Sequence, residues 1–210
     1  MENSIMLLCD IGNTSYHFLN EDRDYKESVT EFDPLSIKQN VYYISVNAAV
    51  NELLQTLENW IDLKERVDMS QYYETMGVDR IFACEAIESG VIVDAGSAIT
   101  VDVVKDGVFQ GGFIYPGVKA MSKTYESISP QLAYEFNLNL DLNKLPKNST
   151  DAISYGYLKT LYSEVMSHKM KIVLTGGDAD KLAHIFQNVR VDETLIFKGM
   201  KKVITNSLSH

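Results

Sequence analysis

The 210-residue sequence predicts an α/β protein built from two similar halves. Short apolar stretches bounded by turn residues indicate buried strands, and apolar residues spaced three and four apart indicate amphipathic helices. One pattern also occurs twice, in "LLCDIGNTSYHF" and "VIVDAGSAITVDVV": an apolar strand, Asp, any residue, Gly, small polar residues, and a second strand. Each copy begins one half of the chain, so we expect one lobe over residues 1–89 and a second over residues 90–210.

The first half contains three predicted strands and two predicted helices. The strands are residues 5–9, 16–19 and 41–46, and the helices are residues 50–61 and 79–89. Gly12 and Asn13 lie between the first two strands, and both residue types tolerate the positive φ of a tight turn. Gly90 follows the second helix as a stop signal.

The second half begins with a predicted β-hairpin. Asp106 and Gly107 form a strong two-residue turn signal, so residues 108–114 are expected to return beside the strand that precedes them. The remaining predicted elements are a helix after Gly117, a helix over residues 150–168 with Thr150 as its N-cap, a strand over residues 171–174, and a helix after Asp178.

Composition and charge narrow the classes of partner. Hydrophobic residues make up 45% of the chain, which is enough for a buried core, and the formal net charge is -10. Such a surface repels DNA, RNA and anionic membranes, so we expect neither nucleic acid nor a membrane as partner. Cys9 and Cys84 lack metal-binding spacing and indicate reduced thiols, and the amino terminus carries no secretion signal. We therefore expect a cytoplasmic protein.

The first acidic turn combines Asp10 with Gly12, Asn13 and Thr14. Exposed N–H groups and a hydroxyl in such a turn can hold phosphate oxygens, and the carboxylate can hold the metal that neutralises them. Taken alone, the same residues are typical of an ordinary turn.

The second copy of the pattern makes a binding site the better interpretation of both turns. Asp94, Gly96, Ser97 and Thr100 repeat the arrangement. Two acidic turns that face each other across a cleft would hold a nucleoside triphosphate. Standard phosphate and hydrolase signatures, including the P-loop, are absent from the sequence, so these turns would have to carry any nucleotide.

Two further segments combine chemistry with an ordinary structural alternative. In "GVDR", Asp79 could act as general base toward an alcohol and Arg80 could bind a substrate carboxylate. The alternative is that Asp79 is a helix N-cap and Arg80 lies on the surface. In "LTGGDA", Gly176 and Gly177 admit a flat adenine or ribose, or serve only strand–helix packing.

The ordered series "DIGNT", "GVDR", "DAGSAIT", "GGFIYPG", "NSTDAISYG" and "TGGD" resembles the motifs of type III pantothenate kinases. These belong to the acetate and sugar kinase, Hsc70 and actin superfamily. The resemblance implies a duplicated actin-like (ribonuclease H-like) two-lobed fold with mixed sheets flanked by helices. It also implies ATP-dependent phosphorylation of the 4′-hydroxyl of pantothenate, the first step of coenzyme A biosynthesis. The expected protein is a homodimer that uses Mg²⁺ with ATP and a monovalent cation, K⁺ or NH₄⁺.

The resemblance also implies a role for each matching residue. Asp79 is the expected catalytic base, and Asp94 the expected ligand of the monovalent cation. Asp10 would hold the divalent ion through phosphate or water. The residues expected to bind ATP and its phosphates are Asp10, Ile11, Gly12, Asn13, Thr14, Ser97, Gly176 and Gly177. Those expected to bind pantothenate are Gly77, Val78, Asp79, Arg80 and Thr150.

The segment before "GVDR" departs from the family pattern. The family places a tyrosine and a proline there, whereas this sequence has Tyr72 and Tyr73 closer to the glycine and no proline. The sequence leaves open which tyrosine lines the substrate pocket. Two alternatives to a pantothenate kinase also remain: another small-molecule kinase or a phosphatase of the superfamily, and a non-catalytic nucleotide-binding regulator. The presence of Asp79 argues against the regulator.

Overall fold

A computed structural model describes residues 6–21, 23–186 and 188–207. The chain divides into two compact units. Unit 1 comprises Met1–Ile87 and Thr194–His210, and unit 2 comprises Glu88–Glu193. Each unit contains one five-stranded mixed sheet.

The elements follow one another in a regular order along the chain. The strands are β1 (Leu7–Ile11), β2 (Ser15–Asn20), β3 (Arg23–Ser28), β4 (Val41–Ser45), β5 (Trp60–Asp62), β6 (Gly90–Ala95), β7 (Ala98–Lys105), β8 (Val108–Pro116), β9 (Ile172–Thr175) and β10 (Val189–Val191). The helices are α1 (Ala48–Leu54), α2 (Val78–Glu85), α3 (Val118–Ile128), α4 (Ser149–Ser167), α5 (Ala179–Ala183) and α6 (Leu195–Ser207). Short 3₁₀ turns occur at Pro34–Ser36, Lys64–Arg66, Met69–Gln71 and Pro130–Leu132.

The two sheets have the same topology. Their strand orders are β3-β2-β1-β4-β5 and β8-β7-β6-β9-β10. In each sheet the first three strands in sequence are antiparallel neighbours, and the last two run parallel to the first. The duplication inferred from the repeated strand-turn-strand pattern is therefore present in the topology.

The core of unit 1 forms on both faces of its sheet. Leu7, Cys9 and Ile11 alternate along β1 and pack in one cluster with residues of α1 and with Trp60. Asp10 therefore lies on the opposite face, because successive strand residues point to opposite sides. On that face α6 packs against β1 and α2.

The core of unit 2 lies mainly between its sheet and α4. Val91, Val93 and Ala95 of β6 pack with apolar residues of α4, among them Tyr157 and Leu161. These strand residues alternate with Ile92 and Asp94, which therefore lie on the opposite face. The predicted hairpin is present between β7 and β8, where Asp106 and Gly107 have φ of 52° and 74°.

Several predicted boundaries differ from the structure, among them the three that follow. The helix predicted over residues 50–61 ends at Leu54, because Trp60 instead begins β5 and pairs with Val41. The strand predicted over residues 5–9 is Leu7–Ile11, and residue 5 lies outside the described residues. Helix α6 packs in unit 1, whereas the predicted boundary placed it in the second lobe with residues 90–210.

Two local predictions also differ. Asn148, not Thr150, is the N-cap of α4, because the Asn148 side chain accepts a hydrogen bond from the Asp151 N–H at 2.9 Å. Gly12 and Asn13 are residue types that tolerate positive φ, but neither adopts it in the turn. Among the described residues, no helix has the length and hydrophobicity that a membrane span requires.

Candidate active site

The first acidic turn is closed by backbone hydrogen bonds. The Gly12 N–H donates to the Ser15 carbonyl at 3.0 Å, and the Val29 N–H donates to the Thr14 carbonyl at 3.0 Å. Asn13 and Thr14 are exposed at the tip, and Asp10 is half-buried near the end of β1. A Cβ at Gly12 would meet only the Ser15 carbonyl oxygen, at an ordinary 3.8 Å. The fold itself therefore does not require glycine at this position.

The second acidic turn is one residue shorter and is enclosed by backbone. The Gly96 N–H donates to the Ala98 carbonyl at 3.0 Å, and the Gly117 N–H donates to the Ser97 carbonyl at 3.2 Å. A Cβ at Gly117 would overlap the carbonyl oxygens of both Gly96 and Ser97. Helix α3 consequently begins directly against this turn.

Gly176 brings the "TGGD" segment against the second turn. Its φ is 86°, and a Cβ there would overlap Asp94 Oδ1 and the backbone of Ala95. The Asp178 N–H also donates to the Ala95 carbonyl at 2.9 Å. A Cβ at Gly177, in contrast, would meet no atom within 4 Å. Unit 2 thus brings together Asp94, Gly176 and the second acidic turn.

Helix α2 places Asp79 and Arg80 side by side. Gly77 is the N-cap, and Asp79 Oδ1 accepts a hydrogen bond from the Arg80 N–H at 2.8 Å. A Cβ at Gly77 would come within 2.5 Å of the same Oδ1, so glycine leaves room for the carboxylate. Arg80 is only 5% exposed. The structural alternative, with Asp79 as N-cap and Arg80 on the surface, is wrong on both counts.

The two tyrosines before α2 have different partners. The Arg80 guanidinium donates to Tyr73 Oη and lies 5.7 Å from the centroid of the Tyr73 ring. Tyr72 Oη instead donates to Glu85 Oε1 at 2.8 Å. Tyr73 is also 44% exposed, so it lies between the buried guanidinium and solvent. Tyr73 is therefore the tyrosine associated with Arg80.

A cavity of about 610 Å³ opens beside the second acidic turn within unit 2. Its lining residues are Gly96, Ser97, Lys119, Ala120, Lys123, Gly177, Asp178 and Lys181. Lys181 forms an ion pair with Asp178 at 2.6 Å. Lys119 and Lys123 have no carboxylate within 4 Å in the part of the chain that the structure describes. The volume suits a small-molecule ligand, and the uncompensated lysines favour an anionic one.

Thr150 lies in the first turn of α4, in unit 2. The Asp151 carboxylate accepts hydrogen bonds from Asn137 at 2.8 Å and Asn148 at 2.7 Å, which fixes this end of the helix. The Thr150 hydroxyl has no hydrogen-bond partner among the described residues, so it can serve a ligand. Gly77–Arg80, the other segment predicted to bind pantothenate, lies in unit 1.

Comparison with known proteins decides the family. The family model for type III pantothenate kinase matches residues 37–169. A type III pantothenate kinase of Sulfurimonas denitrificans is 64% identical over 199 residues, covering 95% of this chain and 97% of the relative. The enzyme of Campylobacter jejuni is 41% identical over 201 residues, covering 95% and 96%. The chain belongs to the type III pantothenate kinase family.

Solved structures agree with the predicted fold. A Campylobacter jejuni protein named as a Baf family transcriptional activator has 40% identity and a TM-score of 0.86, and the match covers 98% of this chain and all of that one. A 2-dehydro-3-deoxygalactonokinase of Sinorhizobium meliloti has 10% identity and a TM-score of 0.55, with 96% of each chain covered. MreB5 of Spiroplasma citri bound to ADP has 10% identity and a TM-score of 0.52, with both chains covered completely. These two matches concern the fold alone and confirm the duplicated actin-like architecture.

Sequence reasoning on this type III pantothenate kinase missed three site features. It did not select Lys119 or Lys123, although two lysines four residues apart in the helix predicted after "GGFIYPG" are neighbours on the helix surface. It also left the two tyrosines undecided, because nothing in the sequence shows that Tyr73 contacts Arg80.

Proposed function

We propose that this member of the type III pantothenate kinase family transfers the γ-phosphoryl group of ATP to the 4′-hydroxyl of pantothenate. This reaction is the first step of coenzyme A biosynthesis. The observation that carries the proposal is the pairing of Asp79 with a buried Arg80 at the start of α2, in a chain 64% identical to a type III pantothenate kinase. A base and a buried cation are what an alcohol substrate with a carboxylate requires.

Asp79 is the proposed general base. The 4′-hydroxyl oxygen attacks the γ-phosphorus, its proton passes to the Asp79 carboxylate, and the bond from the γ-phosphorus to the bridging oxygen breaks to release ADP. In phosphoryl transfer most of the catalysis comes from positioning and charge stabilisation, and the base orients the acceptor. The hydrogen bond from the Arg80 N–H to Asp79 Oδ1 fixes the direction of this carboxylate.

Arg80 is the proposed partner of the pantothenate carboxylate. A guanidinium can bind a carboxylate through two parallel hydrogen bonds, and this geometry gives specificity as well as affinity. Because Arg80 is buried and held by Tyr73, the substrate meets a cation whose position is already set. Gly77, Val78 and Thr150 complete the proposed pantothenate-binding set.

The first acidic turn is the proposed phosphate loop of unit 1. Ile11, Gly12, Asn13 and Thr14 would bind phosphate oxygens through backbone N–H groups and the exposed side chains. Glycine at position 12 is explained by this role, since a close phosphate leaves no room for a side chain. Asp10 would hold the Mg²⁺ that arrives with ATP, through phosphate or water. That ion neutralises charge on the transferred group.

The second turn and its cavity are the proposed nucleotide site of unit 2. Ser97, Gly176 and Gly177 would contact the nucleotide, with the adenosine near the two glycines. The cavity volume and its lysines support this assignment.

Asp94 is the proposed ligand of a monovalent cation, K⁺ or NH₄⁺. The residues fit such an ion, because Thr100 is paired with Asp94 across the sheet and its buried Oγ1 has no hydrogen-bond partner among the described residues. A bound monovalent cation supplies positive charge beside the second turn.

We also propose a homodimer and a cytoplasmic location, where ATP and pantothenate are available together. Two features of unit 2 support the dimer. Helix α3 has no buried residue, and Ile114 on the edge strand β8 and Ile128 at the end of α3 are 65% and 67% exposed. Exposed apolar side chains on an edge strand and at the end of a partly buried helix are typical of an interface. Light scattering should give twice the mass of one chain.

A substrate panel tests the proposed reaction. Phosphorus NMR with ATP should show a new phosphomonoester with pantothenate, and none with a sugar acid or with the amide of pantothenate, which lacks the carboxylate. Equal turnover of the panel members would indicate another small-molecule kinase of the superfamily. ATP binding without phosphoryl transfer to any alcohol would favour the non-catalytic regulator suggested by the name of the Campylobacter jejuni structure.

A further inference from the structure

The duplicated sheets allow the same row of residues to be compared in the two units. In unit 1, Asp10 of β1 has His17 of β2 and Ile44 of β4 as its direct neighbours. In unit 2, Asp94 of β6 has Thr100 of β7 and Thr175 of β9 as its direct neighbours. Direct neighbours across a sheet present their side chains on the same face.

The two rows therefore differ in chemistry although they occupy equivalent places in the fold. The row in unit 1 offers one carboxylate between an imidazole and an apolar side chain. The row in unit 2 offers one carboxylate between two hydroxyls. Hydroxyl and carboxylate oxygens are the ligands that hard cations prefer. Of the two rows, only the row in unit 2 therefore has an oxygen donor at each of its three positions.

Thr100 supplies the observation that points to a ligand. Its Oγ1 is buried and has no hydrogen-bond partner among the described residues. A buried hydroxyl without a partner is destabilising, so such an atom calls for an explanation. A bound cation would provide the partner that this oxygen lacks among the described residues.

Gly176 lies directly against the carboxylate of this row. A side chain there would overlap Asp94 Oδ1, and the positive φ of 86° already selects glycine. Thr175, the residue before it, is only 3% exposed. Glycine at this position therefore leaves room for the Asp94 carboxylate, which lies between the two hydroxyl-bearing residues Thr100 and Thr175 in the sheet.

The charge of this row selects the class of ion. One carboxylate with two neutral hydroxyls carries a single negative charge, which suits a monovalent cation whose hydration shell the oxygens replace. In the described part of the chain, no group of three or more His, Cys, Asp or Glu residues could hold a metal ion. The row does not have the ligand set of a dedicated divalent site.

We infer that Thr100 Oγ1, next to Asp94 and assisted by Thr175, is a ligand of the monovalent cation. The inference rests on the cation proposed at Asp94 and adds the residues that select it. It assigns the unpartnered hydroxyl to binding of K⁺ or NH₄⁺ and explains why the equivalent row of unit 1, with His17 and Ile44, would not bind the same ion.

Thermal unfolding of the substrate-free protein tests the inference without using activity. Melting temperatures are compared in KCl and in choline chloride at equal ionic strength, and K⁺ is titrated to find its half-saturating concentration. Wild type should be stabilised by K⁺. Thr100→Val should melt no lower than wild type in choline, because it replaces an unpartnered hydroxyl by a methyl group. It should need at least about tenfold more K⁺ for half-saturation, since a factor of ten corresponds to the loss of one good contact.

Three further variants separate cation binding from packing. Thr100→Ser keeps the hydroxyl and should restore most of the K⁺ response. Thr100→Ala removes the same hydroxyl with a smaller side chain, and should lose the response even if the valine variant does not fold. Thr56→Val is the matched control, because the exposed Thr56 hydroxyl bonds only to the Leu53 carbonyl at 2.7 Å. Its K⁺ response should equal that of wild type.

Two results would overturn the inference. An equal K⁺ response in wild type and in both hydroxyl-deletion variants would exclude Thr100 as a ligand. No K⁺ response in wild type would exclude the cation site itself. Neither result bears on phosphoryl transfer to pantothenate, which the substrate panel measures separately. A K⁺ response that Thr100→Val removes, in a protein that does not phosphorylate pantothenate, would support the site and contradict the proposed reaction.

Discussion

Arg80 and Tyr73 form a pair in which a buried guanidinium donates to a phenolic oxygen and lies 5.7 Å from the centroid of its ring. Arg80 is 5% exposed, so its charge depends on such partners. The pair joins the segment proposed to bind pantothenate to the residues before α2. The Tyr72 hydroxyl is bonded to Glu85 instead, which favours Tyr73 as the tyrosine of the proposed substrate pocket.

Replacing each tyrosine by phenylalanine should separate their roles. Tyr73→Phe keeps the ring but removes the oxygen that accepts from Arg80. We expect the KM for pantothenate to rise about tenfold, because the loss of a hydrogen bond to a charged group amounts to about 1.5–3 kcal/mol. Tyr72→Phe, the matched control, should lower stability by about 1 kcal/mol with an unchanged KM. Steady-state kinetics and urea unfolding measure both quantities. Equal KM values for the two variants would show that the Tyr73 hydroxyl does not contribute to pantothenate binding.

The two glycines of "TGGD" should respond differently to alanine. Gly176→Ala forces a side chain into a φ of 86° and against Asp94 Oδ1, so we expect a loss of stability of at least about 1–2 kcal/mol. Gly177→Ala meets no atom within 4 Å and should fold normally. Its methyl group faces the cavity, so the KM for ATP should rise. Differential scanning calorimetry and ATP titrations check the pair, and equal melting temperatures would contradict the assigned packing.

The lysines of the cavity should contribute to nucleotide affinity through their charge. Lys119→Gln combined with Lys123→Gln should raise the KM for ATP severalfold, and the difference from wild type should shrink as salt screens the attraction. Lys105→Gln combined with Lys159→Gln, outside the cavity lining, serves as the charge-matched control. A rise in the KM for ATP that does not depend on salt, or an equal rise in the control, would show that Lys119 and Lys123 do not attract the nucleotide through their charge.

His17 should make stability depend on pH. Burial lowers the pKa of His17 below its ordinary 6.5, and the charge of Lys26 lowers it further. The Asp24 carboxylate acts in the opposite direction and raises this pKa, with its Oδ2 lying 3.8 Å from His17 Nε2. The Phe197 ring packs on the imidazole at 4.8 Å, and Asp10 is its neighbour across the strands.

The direction in which stability changes with pH follows from the lowered pKa of His17. Below pH 6.5 the unfolded chain binds a proton that the folded imidazole does not, so stability falls as the pH drops from 6.5 toward the lowered folded pKa. One proton gives a slope of at most about 1.4 kcal/mol per pH unit. Urea unfolding at several pH values measures this slope. The slope should be lost in His17→Gln and retained in His168→Gln. A slope unchanged in His17→Gln would contradict the assignment.

Much of the fold followed from local sequence patterns because those patterns have local causes. The two acidic turns, the Asp106-Gly107 hairpin and the strand before "TGGD" were identifiable from short-range turn chemistry and apolar runs. Residues 50–61 were misassigned because the same helical spacing of apolar residues continues through Trp60. That side chain is buried by pairing of β5 with β4, a contact that sequence spacing does not encode.

Long-range packing explains the remaining differences. Helix α6 joins unit 1 because Gly199 lies against the Phe82 carbonyl of α2, where no Cβ would fit. Nothing near Gly199 in the sequence identifies that partner. The burial of Arg80 and its choice of Tyr73 over Tyr72 depend on the same kind of contact. Candidate site residues could thus be proposed from the sequence, whereas the partners that position them required the structure.

Formation of 4′-phosphopantothenate by wild type, Asp79→Asn and Asp106→Asn tests the central claim most directly. Asparagine can still accept the hydrogen bond from the Arg80 N–H but cannot take the proton of the alcohol. Asp106 is the matched control, since asparagine tolerates its positive φ of 52° in the hairpin turn. We predict that Asp79→Asn lowers kcat by about 10²–10⁴ with an unchanged melting temperature, and that Asp106→Asn resembles wild type. Wild-type turnover in Asp79→Asn, or no product from the wild-type protein with saturating ATP, pantothenate and K⁺, would contradict the account.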